Sequence, residues 1–198
     1  MAGRRRTSAA PDLFGAPVVV GPEGFAYQAD VLTEAEERTF VAEFERLPFK
    51  PFEFHGYQGN RRIVAFGYGY DYNTESLVEA EPIPAFLGAL RDAASRFSGV
   101  PADALVQALV TEYAPGAGIG WHRDRPTYQE IVALSFVASC TLRFRKRDGK
   151  SWLRHALDVA PRSAYLLRGP AREEWEHSIP AVDRLRYSVT FRNFRAPP

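Results

Sequence analysis

The chain has a single cysteine, Cys140, so no intrachain disulfide can form. That excludes a disulfide-stapled scaffold and fits a reducing compartment. Long apolar runs are missing too. The longest, from Ile131 to Leu142, is broken by Ser135 and Ser139. It falls well short of the roughly 20 apolar residues that span a bilayer. Arg4, Arg5 and Arg6 resemble the charged start of a signal peptide, but no apolar run follows them. The expectation is a soluble, cytoplasmic protein with no membrane association. An excess of one charge is also absent, because the formal net charge is +1. Global charge therefore does not mark a nucleic-acid binder, and only local basic patches can do so.

The 198 residues suffice for one domain with its own core. Hydrophobic residues make up 45% and charged residues 25%, a globular balance. Residues 1–12 are small, basic and unpatterned, and read as a disordered tail. Residues 13–198 read as one domain. Its first part, 13–104, holds helices and an aromatic extension, and 105–198 holds a β-rich core. Thr33 to Leu47 predicts a helix: Thr33 and Glu36 make a capping-box pattern, and Phe40, Val41 and Phe44 form an apolar stripe. Pro84 to Phe97 predicts a second, with Phe86, Leu87, Leu90 and Ala94 on one side and Gly99 just beyond. Between them, Tyr57 to Asn60 reads as a turn and Arg62 to Tyr70 as a strand.

From Leu105 onward the pattern changes to short β segments separated by turn signals such as Pro115-Gly116, Asp148-Gly149 and Gly169-Pro170. Strands are predicted at Leu105–Glu112, Ile119–His122, Ile131–Phe136, Thr141–Arg147, Trp152–Val159, Ala164–Arg168, Trp175–Ser178 and Arg186–Phe194. Many short strands at this spacing imply a sandwich or jelly roll. The fold class is mainly β with flanking helices.

Three separated segments carry the chemistry. His122 and Asp124 lie in WHRDRP, His177 in EWEHSIP, and Arg186 and Arg192 in RYSVTFR. Alternation puts His122 and Asp124 on one face of a strand end. Two imidazoles and one carboxylate are the ligand set of a facial iron(II) triad. His55 and His155 have no partner at ligand spacing and read as ordinary histidines. In RYSVTFR, Arg186, Ser188, Thr190 and Arg192 share one face, opposite Tyr187, Val189 and Phe191. Alternation alone fits equally an edge strand with its arginines in water. Following both ligand-bearing segments, the arginine face fits instead a guanidinium that forks onto a carboxylate of a small dicarboxylate.

In combination these segments resemble the AlkB-type iron(II)/2-oxoglutarate dioxygenases. The motifs are Tyr-Ala-Pro-Gly before His-x-Asp, one later histidine, then Arg-x-x-x-Thr-x-Arg. The similarity runs from about Leu105 to Phe194 and more loosely back to Arg62. It implies a double-stranded β-helix, a jelly-roll variant, with an N-terminal helical and nucleotide-recognition-lid extension. It implies iron(II) on His122, Asp124 and His177, with 2-oxoglutarate and dioxygen as cosubstrates. Arg186 would pair with the distal carboxylate, and Arg192 would lie near the metal end and steady Asp124. Tyr113 and Ser188 would bind cosubstrate. Two positions depart from the family: Ser188 and Thr111 stand where asparagine is frequent, and Pro126 stands where some members carry a base-reading acid.

The activity the resemblance implies is oxidative dealkylation of nucleobases in DNA or RNA, releasing formaldehyde, succinate and carbon dioxide; the alternatives are a 2-oxoglutarate oxygenase acting on a protein or a small molecule, and a non-catalytic jelly-roll binding module. The target base would be flipped out or already unpaired. Tyr68 in the lid region, Trp175, placed two residues before His177 to line the pocket, and Arg62 are candidate substrate contacts. Arg61, Arg143, Arg145, Lys146 and Arg147 are further candidates for phosphate. Tyr68, Tyr70 and Tyr72 equally suit sheet packing, and the basic run equally suits a charged edge that blocks aggregation. No obligate protein partner is evident.

Overall fold

The computed structural model describes residues 21–54, 57–71 and 76–195. The expected basic tail, His55 and Tyr72 lie outside the described residues. Strand β1 (Phe25–Gln28) is followed by helix α1 (Glu34–Phe44), β2 (Lys50–Phe54), β3 (Tyr57–Phe66), β4 (Tyr68–Asp71) and β5 (Ser76–Glu79). Helix α2 (Gly88–Ser98) precedes β6 (Gln107–Tyr113), β7 (Ile119–His122), β8 (Tyr128–Phe136), β9 (Cys140–Asp148), β10 (Ser151–Val159) and β11 (Ala164–Leu167). The short helix α3 (Gly169–Glu173), β12 (Glu176–Ile179) and β13 (Arg186–Phe194) follow.

Helix α1 starts where the sequence predicts. The Thr33 hydroxyl accepts from the Glu36 amide at 3.2 Å, and the Thr33 amide donates to the Glu36 carboxylate at 2.7 Å. This reciprocal cap satisfies two otherwise orphaned donors. Before α2, Pro84 leads a 3-10 turn over Ala85–Leu87, and Gly99, at φ +75°, ends the helix left-handed.

Two antiparallel sheets make the jelly roll. The larger has the order β1-β11-β8-β13-β6-β3-β2, and the smaller β10-β9-β12-β7. Strands β4 and β5 pair separately. Three of the large sheet's strands come from before residue 105. Two elements of the aromatic stretch differ from expectation. Tyr57 to Asn60 belongs to β3 rather than to a turn, and the expected Arg62–Tyr70 strand is broken at Gly67. There φ is +75°, and a Cβ would collide with the Val106 carbonyl. Only glycine permits that close approach.

The outer face of the large sheet packs the helices. Phe136, Tyr187, Val189 and Phe191 meet Phe40, Phe44, Leu87 and Leu90 in one buried cluster. The Phe44 and Phe136 rings stand edge to face, 5.0 Å between centroids, a favoured aromatic geometry. The inner face meets the small sheet in a second cluster that includes Ile131, Tyr165, Leu142 and Phe144. The rest of the space between the sheets is open and lined from both of them. It forms a cleft of about 1230 Å3.

Candidate metal centre

His122 ends β7, and Asp124 lies two residues past it on the cleft wall. His177 arrives on β12, whose antiparallel register sets it directly opposite His122. The two imidazole centroids are 4.2 Å apart. Asp124 Oδ1 lies 3.4 Å from His122 Nε2 and 3.8 Å from His177 Nε2. One ligand atom from each residue falls within 4.8 Å of the others. The donor set is two imidazole nitrogens and one carboxylate oxygen, which suits a divalent iron with coordination positions left open.

The surroundings prepare each ligand. His122 Nδ1 lies 2.9 Å from the Gly120 carbonyl. A carbonyl only accepts, so Nδ1 carries the proton and Nε2 keeps its lone pair toward the cleft. Burial, reinforced by His122, pushes the His177 pKa down to about 3, so this ring is neutral at ordinary pH. For Asp124 burial acts in the opposite direction, favouring the protonated acid. Arg192 and the two imidazoles overcome it and hold the carboxyl well below the usual range. The contact is direct: Arg192 Nε donates to Asp124 Oδ2 at 2.8 Å, leaving Oδ1 toward the histidines. Arg192 Nη1 donates to Gln107 Oε1 at 2.9 Å, which fixes the guanidinium plane.

Arg186 has a different environment. It is fully buried, its Nε donates to Ser135 Oγ at 3.1 Å, and its guanidinium carbon lies 4.9 Å from the Tyr113 ring centroid. Both terminal nitrogens are buried without a hydrogen-bond partner among the described residues. A buried guanidinium with two idle donors is costly. A carboxylate taking both would remove that cost. Tyr113 and Thr111 on β6 pair in register with Arg186 and Ser188 on β13, and Tyr113, Thr111 and Ser188 line the cleft.

A sequence model of the 2OG-Fe(II) oxygenase superfamily matches residues 27–192. The chain belongs to that superfamily. The superfamily's members use iron(II), 2-oxoglutarate and dioxygen, and the residues of this chain fit them: a His-Asp-His cluster on a cleft and a buried guanidinium whose two terminal nitrogens have no partner among the described residues. The AlkB-type resemblance stands as well. An Arabidopsis thaliana protein named "Alkylated DNA repair protein ALKBH8 homolog" is 27% identical over 84% of this chain. The match spans 54% of that relative, so the chain covers about half the length of the curated protein it resembles. In fold, the solved structure of OsALKBH1 aligns with TM-score 0.65 at 15% identity, covering 86% of this chain and 96% of that one. A Pseudomonas putida prolyl-4-hydroxylase aligns with TM-score 0.57 at 19% identity, covering 87% and 93%.

Within this oxygenase, six predicted residues line one cleft, His122, Asp124, His177, Tyr113, Ser188 and Arg192, and the seventh, Arg186, is buried against the Tyr113 ring. None of the three tentative substrate contacts is among the cleft's lining residues. Arg62 points to the helix side of the large sheet. Its Nε and Nη2 bind the Glu112 carboxylate at 2.7 and 2.8 Å. Arg61, one residue earlier, is the β3 arginine that lines the cleft. Trp175 precedes β12 rather than lying in it, so strand alternation from His177 does not apply. Its indole is buried in the inter-sheet cluster against His155, 5.1 Å between centroids. Tyr68 packs edge-on against Phe194 at 4.9 Å, and its carbonyl accepts from Gln107.

Gln107 and Arg172 escaped notice in the sequence. Gln107 was reachable, since alternation back from Tyr113 leads through Thr111 and Leu109 to it. Arg172, buried on α3, donates through Nη2 to the carbonyls of Arg125 and Tyr128. It thereby pins the loop that follows Asp124. No periodicity marks that contact, which forms only when α3 docks.

Proposed function

We propose that this oxygenase removes alkyl groups from nucleobases of DNA or RNA. In this reading His122, Asp124 and His177 hold iron(II). Arg186 takes the distal carboxylate of 2-oxoglutarate, with Tyr113 and Ser188 beside it. Iron(II) bound there supplies the family's oxidative chemistry, in which 2-oxoglutarate becomes succinate and carbon dioxide. Arg192 keeps Asp124 ionised and aimed, and Gly120 keeps His122 in the ligating tautomer. Apolar lining from Leu109, Ile131, Leu167 and Ile179 limits water around the reacting atoms. The methyl group of an N-methylated base, once oxidised, leaves as formaldehyde.

The observation that carries the chemical part is the buried Arg186 guanidinium, its two terminal nitrogens without a partner among the described residues, on the same strand face as the Arg192 that holds Asp124. The nucleobase part rests on the AlkB-type resemblance and on the cleft's volume and mouth. Phe52 and Trp121 are among its lining residues, and the Arg61 guanidinium lies over the Phe52 ring at 3.8 Å. N1-methyladenine and N3-methylcytosine are cationic, so an aromatic wall adds about 0.5–2 kcal/mol. A duplex base must leave the stack to enter.

The test is a substrate panel with iron-loaded protein: methylated single- and double-stranded DNA, methylated RNA and a methylated peptide, each read by formaldehyde and succinate. Formaldehyde from methylated strands is expected. Formaldehyde from the peptide alone would move the activity to proteins and end the nucleobase reading.

A further inference from the structure

The outward face of the small sheet carries an arrangement that the metal centre does not use. Register places Arg145 of β9 beside Glu176 of β12 and Arg154 of β10. It places Arg143 beside Ser178 and Ala156, and Arg147 beside Trp152. Trp121 joins this face from β7. The Arg145 guanidinium lies 4.5 Å from the ring centroids of both Trp121 and Trp152. Arg143 sits 5.1 Å from Trp121, and Arg147 5.1 Å from Trp152. Arginine and tryptophan thus alternate across a sheet face about 14 Å wide, three strand spacings.

Three features separate this face from an ordinary solvated surface. First, β9 is an interior strand, flanked by β10 and β12. Its arginines therefore do not guard an exposed edge, the role a basic strand usually fills. Second, Arg145 and Arg154 are direct cross-strand neighbours, and like charges so placed destabilise a sheet. Third, the charge is under-neutralised. Four arginines face two carboxylates, Glu176, which binds Arg145 at 2.5 Å, and Asp158, which accepts from Thr141 at the far end. Arg143 donates to Ser178 Oγ at 3.1 Å. Among the described residues, Arg147 and Arg154 have no carboxylate at ion-pair distance, and both are exposed.

The geometry points to a docking surface for a single-stranded polynucleotide. Fixed guanidinium groups match phosphate, and interleaved indoles match the faces of unpaired bases, the combination that grips single strands without sequence preference. A cavity of about 280 Å3 opens beside Trp121, Arg143 and Arg154. Trp121 also lines the catalytic cleft, so the surface runs continuously to the cleft's mouth. A strand lying on it leads one nucleotide into the cleft, which favours unpaired over duplex substrates. This deepens the nucleobase reading and, for that last step, rests on it. The docking itself does not.

The experiment measures binding of a fluorescein-labelled, unmodified single-stranded oligonucleotide by anisotropy across a salt series. Wild type is compared with Arg147→Glu/Arg154→Glu and with Trp152→Ala. Affinity for the single strand should exceed that for the matching duplex. The double charge reversal should weaken binding at least tenfold and lower the salt slope by about 2. Trp152→Ala should weaken binding roughly fivefold or more. Arg147→Gln/Arg154→Gln, a gentler pair, should fall between, and unchanged thermal midpoints exclude misfolding as the cause. Substrate-free succinate formation should stay at the wild-type rate in every variant. Equal binding by wild type and the charge reversal, tight or absent, would overturn the surface. So would binding of an acidic peptide in place of the oligonucleotide. If nucleobase dealkylation alone is wrong, no methylated strand yields formaldehyde, yet the charge reversal still weakens strand binding at least tenfold.

Discussion

The two faces of the seven-stranded sheet solve opposite problems with the same strands. On β13, Tyr187, Val189 and Phe191 point to the helices and are buried among aromatics and aliphatics. Arg186, Ser188, Thr190 and Arg192 point the other way, and Arg186 and Arg192 are almost as buried as the phenylalanine. The helix face is satisfied: its side chains fill one another's space. The cleft face is not, because Arg186 keeps two idle donors and Asp124 gathers three cationic or polar groups around one carboxylate. One face contributes stability, and the other holds charge in place for ligands at some cost in stability.

Substitutions that hit one face and spare the other sharpen this contrast. The largest effect is expected at the ligands. His177→Ala or Asp124→Ala should eliminate tight iron binding and succinate formation, with secondary structure retained by circular dichroism. Full turnover in either variant would end the assignment of the centre. On the helix face, Phe44→Ala should lower unfolding free energy by about 3–5 kcal/mol, read by urea denaturation, while turnover per folded molecule holds. Arg186→Met should separate the two quantities. The 2-oxoglutarate requirement should rise by one to two orders of magnitude, reflecting about 1.5–3 kcal/mol of charge-assisted bonding. The metal-free protein should meanwhile become more stable, because a buried unpaired charge is gone. A fall in stability with unchanged cosubstrate affinity would reverse the contrast.

The pH dependence of the metal-free protein is a smaller test. His177 titrates near pH 3 when folded, below its ordinary value of 6.5. Between those values the unfolded chain takes up a proton that the folded one refuses. Stability should therefore fall as pH drops from 6.5 toward 3, by at most about 1.4 kcal/mol per pH unit from this group. Asp124 acts in the same direction, at lower pH. Urea midpoints for chelated protein should show the slope, and His177→Gln should flatten it. The smallest effect belongs to Arg62→Ala. Its pair with Glu112 is half-exposed on the helix side, so the loss should be about 1 kcal/mol or less, with no change in cosubstrate affinity.

The neighbouring arginines 61 and 62 show what could be read in advance. Alternation says that they face opposite ways but not which one faces the cleft. That depends on β3 pairing with β6, which aligns Arg61 with Tyr113 and Arg62 with Glu112. Trp175 shows a second limit: parity with His177 means nothing outside the strand. The basic run on β9 shows a third. A strand's sequence does not say whether it lies at an edge or in the interior, and the neighbours that make it interior are remote in the chain.

Residue types and their spacing alone were enough to name the three ligand candidates, the two arginines, both main helices and the β-rich core. Those features are local: a cap, a turn or a period-two alternation needs only a few adjacent residues. Tertiary structure decided the rest, namely which face of each strand became cleft or core, that His177 would stand opposite His122, and that tryptophans from β7 and β10 would interleave with arginines of β9. These outcomes depend on the order and register of strands far apart in the chain, which only their packing together can set.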